Sequence, residues 1–452
     1  MTENKPNIRF KGFEEEWEDK PFADEADTRR GLTYSPSSIC QKGIRVLRSS
    51  NISDDSFVKS DDDVFVEESA INIDYAKNND ILITAANGSQ RLVGKHCLIS
   101  GIEEKSTVHG GFMLLASAKN PHFLNASMGS SWYRDFINFF VAGGNGAIGN
   151  LNKADLDSYI IRVPSETEQQ KIGEFFKQLD ELIGAKEQEL EKLRQIKLAL
   201  LDKMFPSDSQ DNINGGGKSL IHKMLQSSSQ LVVSSSAPNT PTIRFRGFTE
   251  PWENCKLRKL FDFSTPHYSH SRDKLTYEET EVLNIHYGDI LILFGDIVDG
   301  KEDKIPYIIS AKSDNYKASK LIDGDVIFAD TAEDETCGKA IEIQNIANKT
   351  IVAGLHTFVG RPKKKFAPYF LGYYFNSYTF HDQLLPLMQG IKVLSINKSA
   401  VEDTFIYYPT NKEEQRKIGD FFRSQDEAIA NSQLQINKLK TIKQACLSQM
   451  FA

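Results

Sequence analysis

The sequence predicts an α+β chain in which two similar mixed domains are each followed by one long helix. Three observations predict it. Motifs recur in order along the chain, short apolar runs rich in β-branched and aromatic residues fill two stretches, and two tails keep a heptad phase. Ile8-Arg9-Phe10-Lys11-Gly12-Phe13 returns as Ile243-Arg244-Phe245-Arg246-Gly247-Phe248, and Trp17 returns as Trp252, both at an offset of 235. Glu168-Gln169-Gln170-Lys171-Ile172-Gly173 returns as Glu414-Gln415-Arg416-Lys417-Ile418-Gly419 at an offset of 246. The stretch from Lys192-Leu193 to Met204-Phe205 returns at the same offset, from Lys438-Leu439 to Met450-Phe451. The ends of the copies match and the middles do not, so one frame carries two different inserts.

Residues 1–165 and 243–411 hold runs such as Asp80-Ile81-Leu82-Ile83-Thr84 and Asp289-Ile290-Leu291-Ile292-Leu293-Phe294, broken by Gly, Asn and Asp. These are read as strands of a compact domain. Residues 166–205 and 412–452 are read as helices. Ser165 followed by Glu168, and Thr410 followed by Glu413, predict capping boxes just after Pro164 and Pro409. In the first tail Ile172, Phe176, Leu179, Ile183, Leu190, Leu193, Leu200 and Met204 form a 4-3 seam, broken by Lys186 and Lys197. The second keeps Ile418, Phe422, Ile429, Ile436, Leu439 and Met450 on the matching seam, weakened by Gln425, Ser432 and Lys443. The pattern predicts a coiled coil, with a helix packed on its own domain as the plainer reading. Between the copies, residues 206–242 are rich in Ser, Asn, Gly and Pro and read as a flexible linker with one short helix near 220–225.

Composition narrows the function. The chain has 452 residues, 40% of them apolar, enough for sizeable cores. It shows no run of about 20 apolar residues that would cross a membrane, and its polar start gives no signal peptide. Five scattered cysteines argue against a disulfide framework and fit a reducing cytoplasm. The net charge of −8 speaks against a self-sufficient nucleic-acid binder. Residues 1–165 carry 18 basic and 23 acidic side chains, residues 243–411 carry 20 and 23.

Several enzyme-like motifs have plain alternatives. Gly144-Asn145-Gly146-Ala147-Ile148-Gly149 matches a dinucleotide fingerprint after the strand-like run 137–142, but the second copy, around Gly390-Ile391-Lys392-Val393, lacks the glycines. Gly215-Gly216-Gly217-Lys218-Ser219 lacks the first P-loop glycine. Asn120-Pro121-His122-Phe123 is similar to an amino-methyltransferase motif with His122 in place of a proline. His267, His270 and His286 could ligate a metal, though a loop without nearby cysteine fits exposed histidines better. No cofactor or metal is therefore assigned, and no catalytic residue.

The Arg-Phe-x-Gly-Phe opener with its tryptophan, the Glu-Gln-x-Lys-Ile-Gly helix start and the Met-Phe helix end, each present twice, resemble the specificity subunit of a Type I restriction–modification enzyme. The resemblance implies two target-recognition domains in a pseudo-two-fold arrangement, 1–165 and 243–411, separated by two long antiparallel helices. It implies no catalysis by this chain. The implied partners are double-stranded DNA with a bipartite target, two methylation subunits docked on the helices, and restriction subunits. Polar and basic loops beside the strands are then the expected DNA contacts: Arg29, Arg30, Tyr34, Arg48, Asn51, Asn87, Gln90, Arg91 and Lys95 in the first domain, and Tyr268, His270, Arg272, His286, Tyr287, Thr331, Lys339 and Lys392 in the second. The segment from Asn87 to Lys95 has its counterpart from Thr331 to Lys339. On this reading the acidic charge means that the partners supply much of the phosphate clamp. Two alternatives stay open on the residues alone: a coiled-coil scaffold that joins proteins without reading DNA, and an enzyme whose activity lies in the inserts.

Overall fold

The computed structural model describes residues 5–141, 149–206, 230–234 and 239–451. Most of the linker 206–242 with its expected short helix, the Gly215-to-Ser219 motif, and the glycines at 144 and 146 lie outside the described residues. The chain divides into two compact units, Met1–Glu187 with Leu434–Ala452, and Gln188–Gln433.

In the first unit an antiparallel sheet runs in the order Ala26–Arg30, Met113–Ala118, Ile81–Thr84, His96–Leu98. A second sheet orders Thr107–His109, Ile44–Leu47, Val64–Val66, Ile39–Cys40, with the first two strands parallel. Ile81–Thr84 is buried on both faces, which is why it reads as an unbroken apolar run. The strand Glu18–Pro21 pairs with Ile160–Val163 and so closes the domain's two ends.

The second unit repeats this plan. Phe261–Asp262, Thr357–Pro362, Val326–Ala329 and Ala340–Gln344 form the first sheet, extended by Ile297–Asp299. Leu275–Thr276, Tyr307–Ile308, Val282–Ile285 and Thr350–Ala353 form the second, again with a parallel pair at its end. Glu253–Lys256 and Phe405–Tyr408 close the ends. Two runs differ from the sequence reading. The residues from Asp289 lie in a helix, Tyr287–Ile292, because His286 caps its first turn: Gly288 N–H donates to His286 Nδ1 at 3.1 Å. The strand-like run at 137–142 begins inside the helix Ser131–Phe140, whose buried Tyr133 and Phe136 keep helical spacing. A short apolar run does not by itself separate the two periods.

Both tails are helical, Glu166–Lys203 and Lys412–Gln449. Their caps differ from the expected boxes. Glu168 does not reach back to Ser165; its carboxylate accepts two hydrogen bonds from Arg9, each 2.7 Å. In the second copy the cap is Asn411, whose Oδ1 accepts from Glu413 N–H at 2.9 Å, one residue beyond Thr410. The buried Glu414 accepts from Arg244 at 2.6 and 2.9 Å. The opener's arginine and the helix start's glutamate are thus partners in each unit. Gln169 and Gln415 donate to the carbonyls of Pro164 and Pro409. Gly173 and Gly419 let the helix approach a facing backbone: a Cβ would stand 2.8 Å from Phe123 N and 2.7 Å from Pro368 O. The Asn120-Pro121-His122-Phe123 motif therefore forms part of this helix seat, with Asn120 donating to Gln169.

Within each unit the two helices pair antiparallel. In the first, Asp180 meets Lys443 and Glu187 meets Lys440. In the second, Arg194 meets Gln433 and Lys197 meets Asp426. Phe451 packs against Trp17 and Phe123 in one unit, and Phe205 packs against Trp252 and Phe370 in the other. Each core thus takes a helix start from its own copy and a helix end from the other copy. Ile172, Phe176, Leu179, Ile183, Leu190, Ile418, Phe422 and Ile436 are buried on the seam, and Leu193, Ile429 and Leu439 are half-buried. All five cysteines are free thiols.

Candidate nucleic-acid interface

The turns beside the second sheet bring part of the expected set together. In the first unit Tyr34, Arg48 and Asn87 line one cavity of about 770 Å³. Arg48 follows the strand Ile44–Leu47, and its Nη2 donates to Asp62 O at 2.7 Å. Asn87 donates to Ser49 Oγ at 2.9 Å and accepts from Ser89 N–H, which fixes the start of its loop. Gln90 and Arg91 stand exposed on the turn Gln90–Leu92, and Lys95 is half-buried at its close.

Other residues of the set are engaged elsewhere. Arg29 donates to Ser117 and to the buried Asp80, while its neighbour Arg30 is exposed. In the second unit Arg361, opposite Asp262, binds the buried Asp325. Asn51 is buried; its amide binds Val58 O and Asp63 and accepts from Arg48 N–H, which holds the turn.

In the second unit Tyr268, His270 and Tyr316 form an aromatic cluster, with His270 Nε2 3.2 Å from Tyr316 Oη. Arg272 grips Asp289 through two bonds, 2.7 and 2.9 Å; burial opposes its charge, but the carboxylate outweighs this and raises its pKa. Burial lowers the His286 pKa, and its ring lies 4.7 Å from that of Tyr287. Lys339 donates to the carbonyls of Leu291 and Phe294, and burial lowers its pKa. Thr331 donates to Asp330. The strand Thr331–Ala332 pairs with Leu394–Ser395, on whose turn Lys392 is exposed. Within the basic run, Lys363 donates to Arg258 O and Lys364 sits 3.9 Å over the Tyr408 ring. Among the described residues no group of His, Cys, Asp and Glu is placed to hold a metal, and no helix is long and apolar enough to cross a membrane.

The two loops from Asn87 and Thr331 are closed alike. Thr84 N–H binds Lys95 O and Gly94 N–H binds Thr84 O, as Ala329 N–H binds Lys339 O and Gly338 N–H binds Ala329 O. Gly94 and Gly338 sit at φ +85° and +86°, where a side chain would be strained. One backbone frame holds two different sets of exposed side chains. That is the design of a duplicated recognition protein.

The comparisons agree. The model of the Type I restriction modification DNA specificity domain matches residues 14–195 and 249–441. The chain belongs to this family and is a DNA-recognition subunit. The fold is similar to the crystal structure of the Type I restriction-modification system S subunit from M. genitalium, at 13% identity and a TM-score of 0.52, covering 99% of both chains. It is also similar to a chain from a structure on complex assembly and conformational transition of the type I R-M system, at 14% identity and a TM-score of 0.52, covering 96% and 97%. No curated protein matches the sequence.

Proposed function

We propose that this chain selects the sites at which a Type I restriction–modification complex acts, reading a bipartite double-stranded target with one domain per half-site. Its partners, two methylation subunits and the restriction subunits, methylate adenine or cleave. The chain itself performs no catalysis and works in the cytoplasm. The functional division is 1–165 and 243–411 as readers, 166–205 and 412–452 as spacer helices, and 206–242 as linker. One observation carries the reading: the same backbone frame occurs twice, and the exposed side chains on it differ, as two unlike half-sites require.

Of the expected contacts, Tyr34, Arg48, Asn87, Gln90, Arg91 and Lys95 form the first reader, and Tyr268, His270, Arg272, His286, Tyr287, Thr331, Lys339 and Lys392 the second. Arg30, exposed at the end of its strand, belongs to the first reader as a cation suited to a phosphate. Arginine and lysine suit guanine edges and asparagine and glutamine suit adenine. The acidic net charge supports a division of labour in which the methylation subunits contribute much of the phosphate binding. Expressing the chain with its methylation partner and mapping methylated adenines across a genome tests the reading. The expected result is one split motif, and its absence would overturn DNA reading.

A further inference from the structure

The backbone bonds that superimpose the two readers also identify a position outside the expected contacts. Phe112 O accepts from Ala85 N–H in the first unit, and His356 O accepts from Asp330 N–H in the second. Gly110 N–H binds Leu47 O as Gly354 N–H binds Ile285 O. Phe112 and His356 therefore occupy the same place, the last residue of a tight turn before the second strand of the first sheet, Met113–Ala118 and Thr357–Pro362. The chemistry at that place differs completely.

Phe112 is 74% exposed, an open phenyl ring. It sits at the rim of the 770 Å³ cavity that Arg48 and Asn87 also line, above an apolar floor formed in part by Val46. In the second unit Asn284 takes the place of Val46; Gly354 lies against its Oδ1 as Gly110 lies against Val46 Cγ1. The Asn284 amide is buried without a partner among the described residues. His356 is exposed, with Nδ1 3.2 Å from Asp330 Oδ1 and its ring 5.2 Å from Tyr287. Its φ of +52° places it in the left-handed region, which a non-glycine residue occupies only when the surroundings hold it there. At these two equivalent positions the first reader carries Val46 and Phe112, and the second carries Asn284 and His356.

We propose that this position is a specificity determinant in each half-site: Phe112 recognises the 5-methyl edge of thymine, and His356, steadied by Asp330, forms a hydrogen bond to a base edge. The inference rests on the DNA-reading function. An exposed phenyl ring beside an arginine and an asparagine has the chemistry to add methyl contact to polar readout. The His356 contact leaves Nε2 as the ring atom for a base, its tautomer set by what Nδ1 does.

The test compares methylation by the assembled complex carrying the wild-type chain, Phe112→Ala, Phe112→Leu or His356→Ala. Phe112→Ala should relax an A·T pair in one half-site by on the order of ten-fold and leave the other half-site unchanged. Phe112→Leu should keep the A·T preference. His356→Ala should alter only the other half-site. With the wild-type complex, deoxyuridine in place of thymine in the first half-site should lower methylation by a similar factor, a readout independent of how the variants fold. An unchanged motif, equal loss at every site, relaxation at a G·C pair, or a first half-site without thymine overturns the proposal. Absence of any motif with the wild-type chain overturns DNA reading itself.

Discussion

Glu342 shows how a single buried residue couples the second unit to pH. It is fully buried, and no ion-pair partner faces it among the described residues. Its carboxyl group accepts from Tyr369 N–H at 2.8 Å and Gly372 N–H at 2.9 Å, and from Gln344. Burial outweighs these bonds and pushes its pKa up to about 7. In the first unit the equivalent place beside the central strand is Leu98, which carries no charge. A raised carboxyl pKa means that the folded state holds a proton the unfolded chain has released. Its stabilising effect is complete below the ordinary carboxyl value of about 4.3 and is lost as pH rises to about 7. The second unit should therefore become less stable from about pH 4.3 to about 7. Glu342→Gln should flatten that part of the profile, as read by urea unfolding at several pH values. An unchanged slope would place the titration elsewhere.

At the scale of elements, the lysines that interrupt the heptad seam carry the clearest lesson. In sequence Lys197 and Lys443 look like defects at equivalent positions. Each binds the aspartate at the equivalent position of the opposite helix, Lys197 to Asp426 at 2.6 Å and Lys443 to Asp180 at 2.7 Å. The two environments differ. Lys197 also binds Asp296 at 2.7 Å, and Tyr373 donates to Asp426. Lys197→Ala should cost the second unit more, about 2–3 kcal/mol, because it strands the largely buried Asp296. Lys443→Ala, whose partner is more exposed, should cost about 1 kcal/mol or less in the first. Equal losses in denaturant unfolding would contradict this ranking. The seam's apolar positions were legible because helical period survives in sequence. The partners of its charges were not, since they lie on another helix. The cap at Glu168 failed because a distant residue, Arg9, takes its carboxylate, and the cap at Thr410 failed because its neighbour Asn411 outcompetes it. The paired reader loops were legible from their glycines. Phe112 was not, because beside Met113-Leu114-Leu115 it reads as one more core residue.

At the scale of the whole molecule, the path of the chain bears on the proposed spacer role. Each unit is finished by a helix end from the other copy, so both helices are bound into the packing at their two ends. A change of length must therefore respect the seam. Removing seven residues from each helix preserves the heptad phase and the face that carries Phe176, Ile183 and Phe422, and shortens each helix by about 10 Å. Removing two or five would turn the apolar face nearly half a turn away from its partner and destabilise both units. If the helices set the gap between half-sites, the seven-residue deletion should yield methylated motifs with unchanged half-site sequences and a shorter gap. At about 3.4 Å of duplex per base pair, the shortening should be about three base pairs. The readers' side chains are untouched, so half-site sequence and gap should change independently. A methylation map of the deleted variant with the original gap would show that the helices hold the units together without measuring the DNA.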